Sequence, residues 1–175
     1  MMSLANTYSE DELHDFVKRM EKLLGRSELI FSAELKMDGI AVSVRYEKGV
    51  FVRGLTRGDG KRGDEITANV RTIASLPLRL YGDDIPDILE LRGEVFMPLE
   101  TFSELNMRRE EEGEALWANP RNAAAGSLKL LDPSEVASRG LAVYFYNMVE
   151  GATSQHAIHG QLKQWGLPTL EHYRL

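Results

Sequence analysis

Apolar and polar residues recur along this chain with two spacings, and the switches between them mark out its elements. Leu13, Phe16, Val17, Met20, Leu23 and Leu24 fall on one helical face, which predicts an amphipathic helix. Ser9-Glu10-Asp11-Glu12 precedes them as a capping box: the serine hydroxyl can accept from a first-turn amide, and Glu12 can reach back to the serine amide. Gly25 is the expected stop. Leu29 to Lys36 then reads as a strand, with Asp38-Gly39 as its turn. Ile40 to Tyr46 alternates apolar residues with Ala, Ser and Arg, Glu47-Lys48-Gly49 is a hairpin turn, and Val50 to Leu55 is the return strand.

Thr56 to Asp64 reads as a flexible loop holding three glycines. A short helix is expected over Glu65 to Ile73, a strand over Leu89 to Phe96, and helices over Leu99 to Glu112 and Asn122 to Leu131. An aromatic strand follows from Leu141 to Val149, and a last helix from about Ser154 to Trp165. This order predicts an α+β fold with mostly antiparallel strands and flanking helices, not the regular βαβ alternation of a doubly wound sheet. No internal repeat or domain linker is visible, and Gly82-Asp83-Asp84-Ile85-Pro86 reads as a surface connection.

Composition bounds the picture. The 175 residues are 43% hydrophobic and 27% charged, enough to bury a core in one domain or in a piece of a larger one. No apolar run approaches the roughly 20 residues needed to cross a bilayer, and Met1-Met2-Ser3-Leu4-Ala5-Asn6 lacks the pattern of a secretory signal. The absence of cysteine excludes disulfides and thiolate metal sites from this chain and fits a cytoplasmic protein. The net charge of −6 argues, taken whole, against nucleic-acid binding. Its distribution says more: from Val44 to Arg62 there are six basic residues and two acidic ones. The run Glu110-Glu111-Glu112 reads as a solvated helical face.

Several residues could carry chemistry. Lys36 closes an apolar segment where few lysines belong, and Glu34 shares its face of the expected strand. A lysine amine attacks only when neutral, so burial or nearby cations would activate it. The run Glu34 to Asp38 alone fits a structural salt bridge at a hairpin equally well. Arg57 lies in a glycine-rich loop suited to phosphate or ribose oxygens; alone, it fits an ordinary exposed loop better. Glu94 sits inside an apolar strand, where it could accept from sugar hydroxyls or hold a lysine, or simply face outward. Tyr146 could stack on a base or belong to the core. Arg121, near a helix start, and Lys129 could grip a DNA phosphate or be surface charge. The four histidines show no metal-ligand spacing, and although His156 and His159 stand at i and i+3 no third ligand appears, so no protein-bound metal is expected.

Taken together and in order, these strings resemble a known family. Lys36-Met37-Asp38-Gly39 is similar to the lysine motif of covalent nucleotidyltransferases, the ligases and mRNA capping enzymes. Glu34 to Gly39, Thr56-Arg57-Gly58-Asp59-Gly60, Asn69 to Ile73, Leu91 to Phe96, Asn119 to Leu128 and Trp165-Gly166-Leu167-Pro168 resemble the NAD⁺-dependent DNA ligase branch. The likeness covers essentially the whole chain. It implies part of the ATP-grasp-like nucleotidyltransferase fold. It also implies that Lys36 takes AMP from NAD⁺, that AMP passes to the 5′-phosphate of a nick, and that the 3′-hydroxyl displaces it, with Mg²⁺ assisting. By position, Asp38 would help place Lys36, Glu34 would contact adenine and Tyr146 would stack on it. Arg57 and Glu94 would lie by the ribose, Ser3 and Leu4 would approach the nucleotide, and Arg121 and Lys129 would meet DNA. Arginine is expected at the position of Lys129, so a two-pronged phosphate grip is not available there.

The same resemblance implies a partial adenylation domain over residues 1–175, without the family's nicotinamide-binding helical region and its later lysine-bearing strands. It implies a monomeric bacterial enzyme of the cytoplasm, associated with the nucleoid, with nicked double-stranded DNA as partner and no obligate protein partner or membrane. An ATP-dependent ligase or capping enzyme is disfavoured by the Arg57 and Asn119 strings. A nucleotide- or DNA-binding module without catalysis is the remaining alternative.

Overall fold

The computed structural model describes residues 6–58, 62–149, 151, 154–170 and, for the backbone, 173–174. Helix α1 (Glu10–Leu24) begins where the capping box places it: Ser9 Oγ accepts from the Glu12 amide, and Gly25, at φ 65°, closes the helix through its N–H on Glu21 O. The other half of the box differs. With Ser9 extended, the Tyr8 amide faces the first turn, and Glu12 Oε2 accepts from it at 2.6 Å rather than from Ser9. No residue of α1 is buried; its apolar face meets Phe31 through Phe16, ring centroids 5.9 Å apart.

The centre is a four-stranded antiparallel sheet in the order β3-β2-β4-β5, formed by β2 (Ile40–Glu47), β3 (Val50–Thr56), β4 (Ile88–Phe96) and β5 (Ala142–Met148). The β2–β3 turn has Lys48 at φ 48° and Gly49 at φ 74°, the paired positive dihedrals of a two-residue type I′ hairpin. One sheet face carries Val42, Val44, Leu91, Val95, Val143 and Phe145, each at most 1% exposed. Helices α2 (Thr67–Val70), α4 (Pro120–Leu128) and α6 (Gln155–Gln164) contribute Val70, Leu128 and Leu162 to the same core. Helices α3 (Leu99–Glu111) and α5 (Pro133–Ser138) complete the helical set. The α+β expectation holds.

The strand expected over 29–36 does not form along its length. Only β1 (Ala33–Glu34) pairs, with β6 (Tyr173–Arg174). Ile30 is 85% exposed and Leu35 66% exposed; an extended segment with no neighbour satisfies no ladder and covers no apolar face. Lys36 therefore lies in the connection between β1 and β2, not at the end of a rigid strand. The helix expected over 122–131 starts earlier, at Pro120, where the Asn119 side chain accepts from the Asn122 amide at 2.8 Å, and it stops at Leu128. Asn69 stops it: its Nδ2 donates to Leu128 O (2.9 Å) and Leu130 O (2.8 Å), taking carbonyls a longer helix would use. A separate α5 follows, started by Asp132 accepting from the Ser134 amide with Pro133 in the first turn. The short helix expected over 65–73 contracts to α2, followed by single turns.

The pairing of β4 with β5 shifts by one residue. Arg92 faces Asn147 and Gly93 faces Phe145, which leaves Tyr146 as the extra residue of a β-bulge. Gly93 makes room for it: a Cβ there would lie 2.5 Å from Tyr144 O and 2.8 Å from the Phe145 ring. Gly93→Ala is expected to cost about 1–3 kcal/mol of folding stability, read as a lower urea midpoint at unchanged slope.

Candidate active site

Opposite the core, the other face of the sheet floors a cleft of about 830 Å³. Period-two alternation assigns its residues: β4 sends Leu91, Gly93 and Val95 to the core and Arg92 and Glu94 to the cleft. On β5 the bulge breaks that alternation. Phe145 and Met148 are buried, and the two consecutive residues between them, Tyr146 and Asn147, both line the cleft. A regular strand would have turned one of them away.

The wall opposite is α4. Arg121, Ala125 and Lys129, four residues apart, face the cleft, while Ala123, Ala124, Ser127 and Leu128 face the core. The Asn69 bonds to its last turn set its position. Arg121 Nη1 lies 3.3 Å from Asp38 Oδ1, and Lys129 Nζ lies 3.0 Å from Asp64 Oδ2. Asp64 closes the base of the 57–63 loop, where Thr56 N donates to Asp64 O (2.9 Å) and Asp64 N to Thr56 Oγ1 (2.9 Å). Arg57 leaves β3 at this point with its amide on Ala41 O (3.1 Å), and lines the cleft with Gly58. Gly58 has φ 53°, and a Cβ on it would fall 1.7 Å from Arg62 O; only glycine permits this turn.

The lysine segment crosses the mouth. Gly39 is pressed against β4, where a Cβ would sit 2.2 Å from Val95 O and 3.0 Å from Glu94 Cγ. This close approach brings exposed Lys36 to the rim beside Glu94. Glu34, two residues before, is gripped from three sides. Oε1 accepts from Ser32 Oγ (2.9 Å) and lies 3.0 Å from His159 Nε2, and Oε2 accepts from Gln155 Nε2 (3.3 Å). Gln155 Nε2 also donates to the carbonyl of bulged Tyr146 at 2.7 Å.

Among the described residues, Lys36, Arg57, Arg92, Arg121 and Lys129 line the cleft with Glu34, Glu94 and Asp64 as carboxylates. The cleft of an acidic chain is thus locally cationic, which suits phosphate. Burial pushes the Glu94 carboxyl above its ordinary range. The Lys36 charge, the Gly39 amide and Arg121 oppose that shift, and Asp38 adds to it. Burial also raises the Tyr146 phenol, helped by Glu94 and opposed by Arg92 and Arg57. Among the described residues no three His, Asp or Glu side chains converge as metal ligands.

Of the residues singled out in the sequence, Glu34, Lys36, Arg57, Glu94, Arg121, Lys129 and Tyr146 line this one cleft, although they are spread over more than a hundred positions. Asp38 stands beside it, held by Arg121. Ser3 and Leu4 lie outside the described residues, as do Asp59, Gly60 and Lys61. Arg92, Asn147, Gln155 and His159 were not singled out for this site. Arg92 could have been found from its period-two relation to Glu94. The bulge that exposes Asn147 and the partners of Glu34 left no sequence signal.

A lysine thus stands at the mouth of a cationic cleft that has a tyrosine on its floor and carboxylates beside it. Residues 1–175 match the sequence model of the NAD-dependent DNA ligase adenylation domain, and the chain belongs to that family. It is 56% identical over 177 residues to a DNA ligase of Protochlamydia amoebophila, covering 99% of this chain and 27% of that protein. It is 52% identical over 182 residues to DNA ligase 1 of Opitutus terrae, covering 99% and 27%, and 50% identical over 169 residues to a DNA ligase of Porphyromonas gingivalis, covering 95% and 25%. The chain thus spans about a quarter of the length of the curated relatives it matches.

The raised Glu94 carboxyl has a consequence for stability. Between its unfolded and folded pKa the native state keeps a proton that the unfolded state has lost, so stability falls as pH rises through that interval and the loss is complete above it. Glu94→Gln is expected to be more stable than the parent at neutral pH, by less than about 1 kcal/mol because solvent screens a half-buried group. The difference should vanish in acid below the ordinary glutamate range. Urea unfolding of both proteins across pH checks the sign.

Proposed function

We propose that this chain is the nucleotide-accepting part of an NAD⁺-dependent DNA ligase, with Lys36 as the residue that carries AMP. The observation that carries this reading is the position of Lys36 at the rim of the cationic cleft, beside Glu94 and two residues from the anchored Glu34. The amine attacks the α-phosphorus of NAD⁺: a nitrogen–phosphorus bond forms, the phosphorus–oxygen bond to nicotinamide mononucleotide breaks, and AMP stays on Lys36. AMP then passes to the 5′-phosphate of a nick, and the 3′-hydroxyl displaces it. All three steps are displacements at phosphorus, so positioning and charge neutralisation supply the catalysis.

In this reading Tyr146 stacks on adenine from the floor, Glu34 meets an edge of the base, and Arg57 and Glu94 lie by the ribose. Asp38 orients Lys36 and is itself oriented by Arg121. Ser3 and Leu4 approach the nucleotide. Arg121 and Lys129 contact DNA phosphates, Lys129 as a single point charge. Mg²⁺ belongs with the donor's phosphates rather than in a protein cage. The enzyme works as a monomer in the bacterial cytoplasm, on the nucleoid and without an obligate protein partner, and residues 1–175 are part of its adenylation domain. No helix among the described residues is long and apolar enough to cross a membrane.

Intact mass after incubation of a full-length ligase bearing this segment with NAD⁺ and Mg²⁺ tests the proposal. An AMP adduct is expected, absent in Lys36→Ala and at least about tenfold slower to form in Glu94→Ala. An adduct from ATP but not NAD⁺ would favour an ATP-dependent enzyme, and DNA binding without any adduct would favour a non-catalytic module. Arg121→Ala should weaken binding to nicked DNA and reduce the dependence of log affinity on log salt by about one phosphate contact.

A further inference from the structure

Glu34 lies 17% exposed at the edge of the cleft, and three of the roughly four lone-pair positions of a carboxylate face protein partners: Ser32 and His159 at Oε1, Gln155 at Oε2. The remaining position, on Oε2, is left for the cleft. Of the three partners, His159 is the buried one. It is 2% exposed on the inner face of α6, and its Nδ1 meets Thr169 Oγ1. Thr169 has one hydroxyl proton and donates it to Phe145 O at 2.9 Å, so Nδ1 must be the donor in its bond with Thr169. That leaves Nε2 facing Glu34 Oε1 at 3.0 Å, with Gln155 Nε2 at 3.3 Å from the same ring nitrogen. Phe145 directly precedes the Tyr146 bulge, and Gln155 joins Glu34 to the Tyr146 carbonyl. The carboxylate and the tyrosine are therefore fixed to one buried frame.

We propose that His159 is a positioning residue that fixes Glu34 and so sets the preference of the site for adenine over a 6-oxo purine. The inference rests on the reading that Glu34 meets the base of the donor nucleotide. An ionised carboxylate only accepts hydrogen bonds, and adenine attached through N9 has N–H donors only on its 6-amino group. A contact between them must therefore use that group. Hypoxanthine presents a carbonyl there and moves its donor to N1. A carboxylate held in one orientation meets that carbonyl oxygen to oxygen, whereas a loosened one can turn to the N1–H and accept both bases.

The test is self-adenylation of a full-length ligase bearing this segment, comparing kcat/KM for NAD⁺ with that for nicotinamide hypoxanthine dinucleotide. His159→Asn keeps an amide where Nδ1 meets Thr169 but withdraws the group facing Glu34. It is expected to lower the NAD⁺ preference about tenfold, chiefly through KM for NAD⁺. His159→Gln places an amide nitrogen near Nε2 and is expected to keep most of the preference. The ratio is taken on one preparation, so a smaller folded fraction does not move it. Equal loss with both donors in His159→Asn, or no difference between the Asn and Gln variants, would overturn the inference. Glu34→Ala separates the two claims. If it leaves the ratio unchanged, the reading of Glu34 fails; if it collapses the ratio while His159→Asn does not, only the role of His159 fails.

Discussion

Strand β4 has neighbours on both edges and different surroundings on its two faces, and the cleft depends on that arrangement. Leu91 and Val95 are sealed in the core while Arg92 and Glu94, between and beside them, stand in the cleft. A slip of one residue would exchange the two sets and bury two charges. The register is held on one side by Ala41 opposite Glu94 and on the other by Arg92 opposite Asn147. Gly93 and Gly39 occupy two places along β4 where backbone comes too near for any side chain. The bulge at Tyr146 exists because Gly93 leaves space for it, and the lysine segment reaches Glu94 because Gly39 lets it lie against β4.

The same arrangement sets stability against function. Glu94 is half-buried, and its ionised form is disfavoured by burial more than Lys36, the Gly39 amide and Arg121 favour it. Glu34, by contrast, accepts from Ser32 and Gln155 and faces His159 at 3.0 Å. One carboxylate thus meets its neighbours' charges across the cleft, and the other is held by direct contacts within the protein.

The strings that mark the family divide between contact and support. Those around Lys36, Arg57, Glu94 and Arg121 place side chains in the cleft. The Asn69 string acts through Asn69, whose amide ends α4 and so positions Arg121 and Lys129. The Trp165 string closes α6: Gly166 stands at φ 80°, the Leu167 amide returns to Leu162 O, and Trp165 Nε1 donates to Asp84. That helix carries Gln155 and His159.

The amino-acid pattern alone determined the parts governed by near neighbours. The Ser9 cap, the Lys48-Gly49 hairpin and the alternation of β2 and β4 are local consequences of propensity and period. The ordered strings from Glu34 to Leu128 contain Glu34, Lys36, Arg57, Glu94 and Arg121, which line the cleft. Only the tertiary structure decided what depends on distant partners. A strand over 29–36 needed a neighbour along its whole length and found one for two residues. The end of α4 depended on Asn69, about sixty positions earlier. The facing of Tyr146 and Asn147 depended on a bulge opposite Gly93. The grip on Glu34, for which the chain returns from α6 more than a hundred residues later, is written in no local pattern, because a buried histidine and glutamate become partners only when the fold brings them within 3.0 Å.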